Sequence, residues 1–330
     1  MADHADGDDG VGDDIFIYRG GRAPQHVTHV VIDKSVEVID DNAFRQEYNN
    51  DNEHLVNVET HDGIRSVGKR SFYKCKSLRR INLKSAVEIG DMAFYRCENL
   101  SDVEFGDKLE KIGQGAFSLC TPLRCLNLPS IVTIEFGAFM DCWALTDVEL
   151  SERLEKIGER AFFSCERLQR IAIPLKSNLF PFDELYQKYN QFDECEQLTT
   201  VDLVGGIHKT VASLHMECWR TEMIAEIDRI NQVLPDTDKW DKTTAIKQWM
   251  DSVINKMDHY KAEHHRYMKE ATTLLELALW KAKLDEFDCS LEPEAKKAKI
   301  DAESARKERR FTSGADTVIK NVLSFLEKLK

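Results

Sequence analysis

Nine cysteines carry the most obvious chemistry in this chain, because thiolates form disulfides, bind metals and act as nucleophiles. None has the Cys-x-x-Cys spacing of a zinc or redox site, and Cys120 and Cys125 are the nearest two. The odd number, with no apolar signal segment at the amino terminus, predicts free thiols in a reducing compartment. Five recur every 22 or 23 residues, which indicates a repeat that buries thiols as small apolar side chains: Cys75, Cys97, Cys120, Cys142 and Cys165. A redox or metal ladder is the alternative, because stacked thiols about 5 Å apart lie within disulfide reach.

A second group of possible metal ligands lies near residue 260, at His259, Glu263, His264 and His265. His259 and Glu263 are four residues apart and would share a helix face, but the chain has no His-Glu-x-x-His motif. His264 instead falls on the apolar seam of a helix, so we predict packing there and not metal binding. Phosphate-binding glycine loops, the Gly-x-Ser-x-Gly elbow and recognisable pairs of catalytic carboxylates are also absent from the sequence. We therefore predict a non-enzyme with no cofactor.

The elements that would position these residues follow from a phenylalanine that returns along the first two thirds of the chain. Around it the consensus is V/L-x-x-I-G-x-x-A-F-x-x-C-x-x-L-x-x-V-x-L, as in IGDMAFYRCENLSDVEF. The L-x-x-V-x-L part alternates with period two and predicts a short strand, whereas A-F-x-x-C-x-x-L predicts one or two helical turns. The glycine permits either a positive φ or a close backbone approach. The seven phenylalanines are Phe44, Phe72, Phe94, Phe117, Phe139, Phe162 and Phe192.

A unit of about 22 residues cannot bury its apolar face alone, so neighbouring units must stack. We predict an α+β protein: a solenoid of seven 22–23-residue units with short parallel strands, followed by an α-helical hairpin or bundle. The consensus resembles the bacterial-surface-antigen (BspA-like) type of leucine-rich repeat over about residues 28–204. Many members of that family are exported adhesion proteins, and the resemblance implies surface adhesion as one alternative function. The helical tail also resembles that of intracellular leucine-rich repeat proteins from unicellular eukaryotes.

In a solenoid the exposed strand columns are where partners bind. One column alternates acids with amides and has no base, and a second column mixes acids with two valines that we predict to be exposed. This mixture suits a protein interface for a basic partner of unknown identity, and a merely solvated sheet face is the alternative. The predicted partner-binding residues are Glu59, Asn82, Val87, Glu104, Glu110, Asn127, Val132, Glu149, Glu155 and Asp202.

Composition narrows the protein class. Among 330 residues, 42 % are apolar and 31 % are charged, which is typical of a globular protein and excludes a largely disordered chain. The net charge of −13 disfavours nucleic-acid partners, and no apolar run is long enough to span a membrane. The basic stretch 296–310 nevertheless supports a second alternative, a nucleus-targeted or nucleic-acid-associated factor. We expect an intracellular protein, cytoplasmic in preference to nuclear.

The carboxy-terminal third changes to a helical period. One helix is predicted near 210–233, ending before Pro235, and a second near 243–287 carries a heptad seam. These helices would form an antiparallel hairpin on which a final helix docks. The alternative is an intermolecular coiled coil whose register is fixed by Tyr260 and His264. The insertion 174–192 is predicted to cover the last coil as an apolar lid, with an exposed lip as the alternative.

The predicted organisation therefore has six parts. These are a disordered acidic amino terminus (1–14), an amino-terminal cap (15–27), the solenoid (28–209), a long helical hairpin (210–287), a charged linker (288–313) and a final helix (314–330).

Overall fold

The computed structural model describes residues 15–46, 51–181 and 190–290, with side chains up to Leu284. The predictions for 1–14, for the basic stretch 296–310 and for the helix 314–330 lie outside the described residues. The chain forms two compact units. The first unit is Met1–Thr210 with Glu226–Ile254, and the second unit is Val211–Ala225 with Asn255–Lys330.

Each coil of the first unit contributes two short parallel strands on two different sides, and every pairing joins equivalent positions of neighbouring coils. On one side the strands pair in the orders β1-β2-β4, β6-β8 and β10-β12-β14-β15. Their bounds are β1 Ile15–Tyr18, β2 His29–Ile32, β4 Asn57–Glu59, β6 Arg80–Leu83, β8 Asp102–Phe105, β10 Cys125–Asn127, β12 Asp147–Glu149, β14 Arg170–Ile173 and β15 Thr200–Leu203. On the other side a six-stranded sheet contains β3 Val38–Ile39, β5 Ser66–Val67, β7 Glu88–Ile89, β9 Lys111–Ile112, β11 Thr133–Ile134 and β13 Lys156–Ile157.

The third side of each coil consists of hydrogen-bonded turns, so the prediction of helical turns in the A-F-x-x-C segment was wrong. The reason lies in the backbone, because Met92 and Arg96, on either side of Phe94, have φ of 53° and 57°. Left-handed residues interrupt a right-handed helix. The amide of Phe94 donates instead to the carbonyl of Ala116 in the next coil, at 2.7 Å. The turns are therefore linked between coils, as the strands are.

The repeated glycine is required by a close backbone approach, which settles the choice that the sequence left open. A Cβ placed on Gly113 would lie 2.7 Å from the amide nitrogen of Asp91 in the preceding coil. A Cβ on Gly158 would lie 2.6 Å from the backbone of Glu135. A side chain at either position would push neighbouring coils apart.

A column of stacked aromatic rings runs through the core of the first unit, among buried aliphatic side chains and thiols. The repeated phenylalanines are buried, and consecutive rings lie nearly parallel with centroids 4.9–5.7 Å apart. Tyr18 extends the column at its amino-terminal end, 5.1 Å from Phe44. This confirms the predicted solenoid in which each unit buries the apolar face of the next.

The carboxy-terminal helices are α1 Gly206–Val211, α2 Glu217–Val233 and α3 Lys242–Ser290, with a 3-10 turn at Leu234–Asp236. The single helix predicted near 210–233 is therefore two helices, separated by residues 212–216. No helix among the described residues is both long and apolar enough to cross a membrane.

Residues of α2 and α3 that belong to the first unit cover the last coil. The Lys242 ammonium is buried and donates to the carbonyl of Leu198 at 2.6 Å. The Thr243 hydroxyl oxygen accepts the amide of Phe192 at 2.9 Å, and the Asn231 side chain accepts that of Val201 at 2.8 Å. These contacts satisfy donors and acceptors that a further coil would otherwise pair.

The insertion at 174–192 also contributes to this cover. Phe180 is buried, with its ring edge-on to Phe192 at 5.8 Å, as a lid requires. Residues 182–189 of the insertion lie outside the described part of the chain.

In the second unit, the first turns of α2 lie against the middle of α3. Trp219 stacks on Tyr260 with centroids 5.0 Å apart, and the Tyr260 hydroxyl hydrogen-bonds to Glu222. His264 stacks on His215 at 4.1 Å. Tyr260 and His264 therefore pack against residues of the same chain.

Candidate functional site

The first predicted column forms an ordered row on the longer strands. Asn82 pairs in register with Glu104, and Asn127 pairs with Glu149, while Glu59 ends β4. All five side chains are exposed, because alternate residues of each strand point into the core. We call the row of Glu59, Asn82, Glu104, Asn127, Glu149 and Asp202 the acid–amide column.

The column is interrupted near its carboxy-terminal end. The register position between Glu149 and Asp202 is held by Ala172, which is buried. Asp202 is half-buried, and its carboxylate accepts from the Arg170 guanidinium at 2.6 Å. The continuous exposed part therefore runs from Glu59 to Glu149.

The second column, which we call the mixed column, comprises Val87, Glu110, Val132 and Glu155. Backbone hydrogen bonds of 2.8 Å link these residues from coil to coil. Val87 is 37 % exposed, but Val132 is half-buried, so the prediction that both valines are exposed was wrong for Val132. The reason is Arg153, which reaches Glu110 at 2.8 Å across the intervening coil that carries Val132.

Bases from neighbouring positions reduce the negative charge of both columns. Lys84 pairs with Glu104 at 2.8 Å, and Arg153 pairs with Glu110. Glu59, Glu149 and Glu155 make no ion pair with any residue in the described ranges. The sequence did not predict these ion pairs, because each base occupies a different position of the repeat from the acid that it contacts.

The buried cysteines form a hydrogen-bonded ladder, a role that sequence reasoning missed. The Cys120 thiol donates to the carbonyl of Phe94 in the preceding coil, at 3.2 Å. Four other thiols make the equivalent bond at 3.1–3.3 Å: Cys97, Cys142, Cys165 and Cys195. The Cys75 thiol lies further from its carbonyl, at 3.8 Å. In the first coil Asn52 replaces the thiol, and its amide donates to Phe44 at 3.0 Å.

The same burial controls the acidity of these thiols. Burial raises the pKa of Cys195 to about 12 and raises the pKa of the other five thiols of the ladder as well. A thiol that stays protonated is a poor nucleophile and a poor metal ligand. All eight cysteines of the described residues are free, and Cys125 and Cys218 are exposed.

The histidines predicted as seam residues or rejected as ligands do not converge. His264 faces His215, whereas His259 is exposed beside Tyr260. Burial, followed by the charges of His215 and His265, lowers the pKa of His264. A small cavity of about 70 Å³ lies here, lined by Ser213, Leu214, His215, Trp219, Tyr260, Lys261 and His264. No group of three metal-ligating side chains occurs among the residues that the structure describes.

A comparison with protein-family models matches six copies of the BspA type leucine-rich repeat region, over residues 23–142 and 123–233. These two matches together span more than half of the chain. The comparison with curated proteins gives no match.

Solved structures of bacterial leucine-rich repeat proteins are similar to this chain. A leucine-rich repeat protein from Bacteroides ovatus is 24 % identical, with a TM-score of 0.43 over 54 % of this chain and 42 % of that protein. A leucine-rich cell surface protein from Faecalibacterium prausnitzii is 20 % identical, with a TM-score of 0.36 over 55 % of this chain and 60 % of that protein. The leucine-rich repeat protein of T. pallidum is 23 % identical, with a TM-score of 0.36 over 57 % and 72 % of the two chains. This chain thus covers less than two thirds of the length of the first two.

Proposed function

We propose that this chain, which belongs to the BspA-type leucine-rich repeat family, is a non-catalytic scaffold that binds a basic protein partner through its strand columns. Leucine-rich repeat proteins generally act in protein–protein interaction or surface adhesion. Among the residues that the structure describes, no catalytic arrangement of side chains supports an enzymatic role, and burial raises the pKa of the six thiols of the ladder.

One observation carries the proposal. The acid–amide column presents exposed acids and amides at the coil spacing on parallel strands that pair in register with strands of neighbouring coils. A rigid, periodic row of this kind loses little conformational freedom when a partner binds. Glu59 and Glu149, with no ion pair in the described ranges, leave negative charge available to a basic surface. Val87, exposed in the mixed column next to the six-stranded sheet, adds a second, apolar contact point.

The helical tail has a separate role in this proposal, as a second contact or as the site of oligomerisation. The strand columns lie in the first unit, whereas most of α3 belongs to the second unit. The two activities are therefore separable by substitution in the full chain.

The test uses charge reversal in the full-length protein. Affinity capture coupled to mass spectrometry identifies proteins retained by the unchanged chain, and the purified partner is then titrated against variants. We expect Glu59→Lys with Glu149→Lys to weaken binding at least about tenfold, because two attractive contacts become repulsive.

The matched control is Glu53→Lys with Glu166→Lys, which makes the same change of charge. Both glutamates are exposed, and each follows the thiol position of its coil, away from the strands. If both double variants bind as tightly as the unchanged chain, the columns are excluded as the binding surface. If both lose binding to the same extent, the attraction depends on net charge alone and the proposal is also wrong.

A further inference from the structure

The part of α3 beyond its contact with α2 is unusually apolar and exposed. Within the second unit, the stacking of Trp219 on Tyr267 at 6.5 Å is the last ring contact between the two helices. From Met268 to Leu284, α3 continues for 17 residues, about 25 Å. Seven large apolar side chains of this segment are exposed: Met268, Leu274, Leu275, Leu277, Leu279, Trp280 and Leu284. A helix that is apolar on every side is normally buried.

These side chains fall into three groups around the helix. At about 100° per residue, Leu274 continues the buried seam that contains Tyr260, and Met268, Leu275 and Leu279 lie about 60–100° to one side of it. Leu277, Trp280 and Leu284 lie on the opposite side, at spacings of three and four residues. We call these three residues the distal stripe. They are 62 %, 71 % and 62 % exposed.

We propose that the distal stripe pairs with the distal stripe of a second copy of this chain, as a short parallel coiled coil. The spacing of Leu277, Trp280 and Leu284 is that of heptad positions a, d and a. Burying three large apolar side chains on each copy supplies the driving force for association. This proposal rests on the oligomerising role given to the helical tail, and it does not depend on binding by the strand columns.

The charges beside the stripe favour a second copy over an unrelated partner. In this register Glu276 occupies position g and Lys281 position e. In a parallel pair, position g of one helix faces position e of the next heptad in the other. Glu276 of one copy would therefore meet Lys281 of the second copy, twice by symmetry. The surface is thus complementary to itself in charge as well as in apolar character.

The distal stripe is a different face of α3 from the seam that the sequence offered for an intermolecular coiled coil. Tyr260 and His264 contact residues of the α2 side within the same chain. A helix that continued the hairpin along this seam would lie against Leu274, and the distal stripe would stay about 100–160° away around α3. The amphipathic residues 315–329 of the same chain are a competing occupant, which the experiment distinguishes.

The experiment measures the mass of the full-length chain by sedimentation equilibrium over a range of concentrations. We expect a dimer, and we expect Leu277→Lys with Leu284→Lys to weaken it about 100-fold, since two buried leucines per copy are lost. The control is Leu279→Lys, a residue with 63 % exposure that lies off the stripe. This variant should keep the dimer. Dissociation of both variants to the same extent would overturn the proposal.

Charge exchange tests the register. Glu276→Lys should weaken the dimer about threefold, and adding Lys281→Glu should restore it, because the facing pair is then reversed and not lost. A wild-type chain that is monomeric at every concentration overturns the proposal. So does a dimer that appears only when residues 315–330 are removed, because that segment then covers the stripe. Partner binding by the strand columns should be unchanged in the Leu277→Lys, Leu284→Lys variant, so the failure of either proposal is recognised separately.

Discussion

The coils of the first unit and the distal part of α3 are both rich in large apolar residues, but only the coils bury them. In the solenoid every repeated phenylalanine has a ring above or below it, and alternate amides of the turn donate to carbonyls in the next coil. In α3 the residues from Leu277 to Leu284 satisfy their backbone within the helix and leave their side chains exposed. A repeat thus supplies its own partner, whereas a lone helix needs a second helix.

The largest expected contrast between the two regions is their response to alkaline pH. The six ladder thiols have pKa values raised by burial, so the folded chain keeps protons that the unfolded chain loses above about pH 8.5. The free energy of unfolding of the first unit should therefore fall as pH rises, by about 1.4 kcal/mol per pH unit for each thiol. For six thiols the slope approaches about 8 kcal/mol per pH unit.

Urea denaturation at several values between pH 8 and pH 10, followed by tryptophan fluorescence and circular dichroism, measures this slope. Cys120→Ala should lower the slope by about one sixth, whereas Cys125→Ala, at an exposed thiol, should leave it unchanged. A flat profile above pH 9 would mean that the thiols are accessible in the folded state, and the contrast in burial would then be wrong.

The second largest difference between the two regions is expected in the loss of stability when an aromatic ring is removed. Phe117→Ala deletes a fully buried ring between two others and should destabilise the first unit by about 3–5 kcal/mol. Trp280→Ala removes a larger ring that is 71 % exposed and should change the stability of the first unit by less than about 0.5 kcal/mol. Thermal melts of the two variants at equal concentration give the comparison, and similar losses in both would contradict it.

Two glycines of one coil test whether contact between neighbouring coils is the reason for the repeated glycine. Gly113→Ala places a Cβ 2.7 Å from the preceding backbone and should cost about 3 kcal/mol. Gly115→Ala meets nothing nearer than Met92 at 3.7 Å, and its φ of 58° should cost only about 1 kcal/mol. Chemical denaturation of both variants measures the difference. If Gly115→Ala proved the more destabilising, contact between coils would not be the reason for the repeated glycine.

The smallest effect is expected at the exposed ion pairs of the columns. Glu104→Gln breaks the pair with Lys84, in which both side chains are about half exposed, and should change stability by less than about 0.5 kcal/mol. Denaturation midpoints at low and high salt test this value. A loss above about 1 kcal/mol would show that the column is structural, and its proposed use as a binding surface would be weakened.

The sequence was sufficient to predict the solenoid, because a period of 22–23 residues leaves few ways to bury Phe94, Phe117 and Phe139. It also predicted that the acid–amide column lies on strands, whereas the residues of the mixed column stand just before theirs. It did not predict the turns around each phenylalanine, because Arg96 and Leu119 give no local sign of a left-handed backbone.

The sequence also did not predict contacts between residues that occupy different positions of the repeat. Arg153 reaches Glu110 across a whole coil. The Lys242 ammonium donates to the carbonyls of Leu198 and Leu234. The repeat pattern aligns equivalent residues only, so contacts between unlike positions need coordinates.

The same bonds between turns and the same thiol donors recur from coil to coil, so the array can change in length without new chemistry. Each inner coil receives a thiol donor from the following coil and offers its own thiol to the preceding one. The two ends have contacts of their own: Tyr18, whose hydroxyl donates to the Gly21 carbonyl and accepts the Asp40 amide, and Lys242 with Thr243. A further 45-residue block, such as the interval from Phe94 to Phe139, could be inserted between inner coils while both ends stay as they are. Growth by internal duplication would then extend the acid–amide column in steps of two residues.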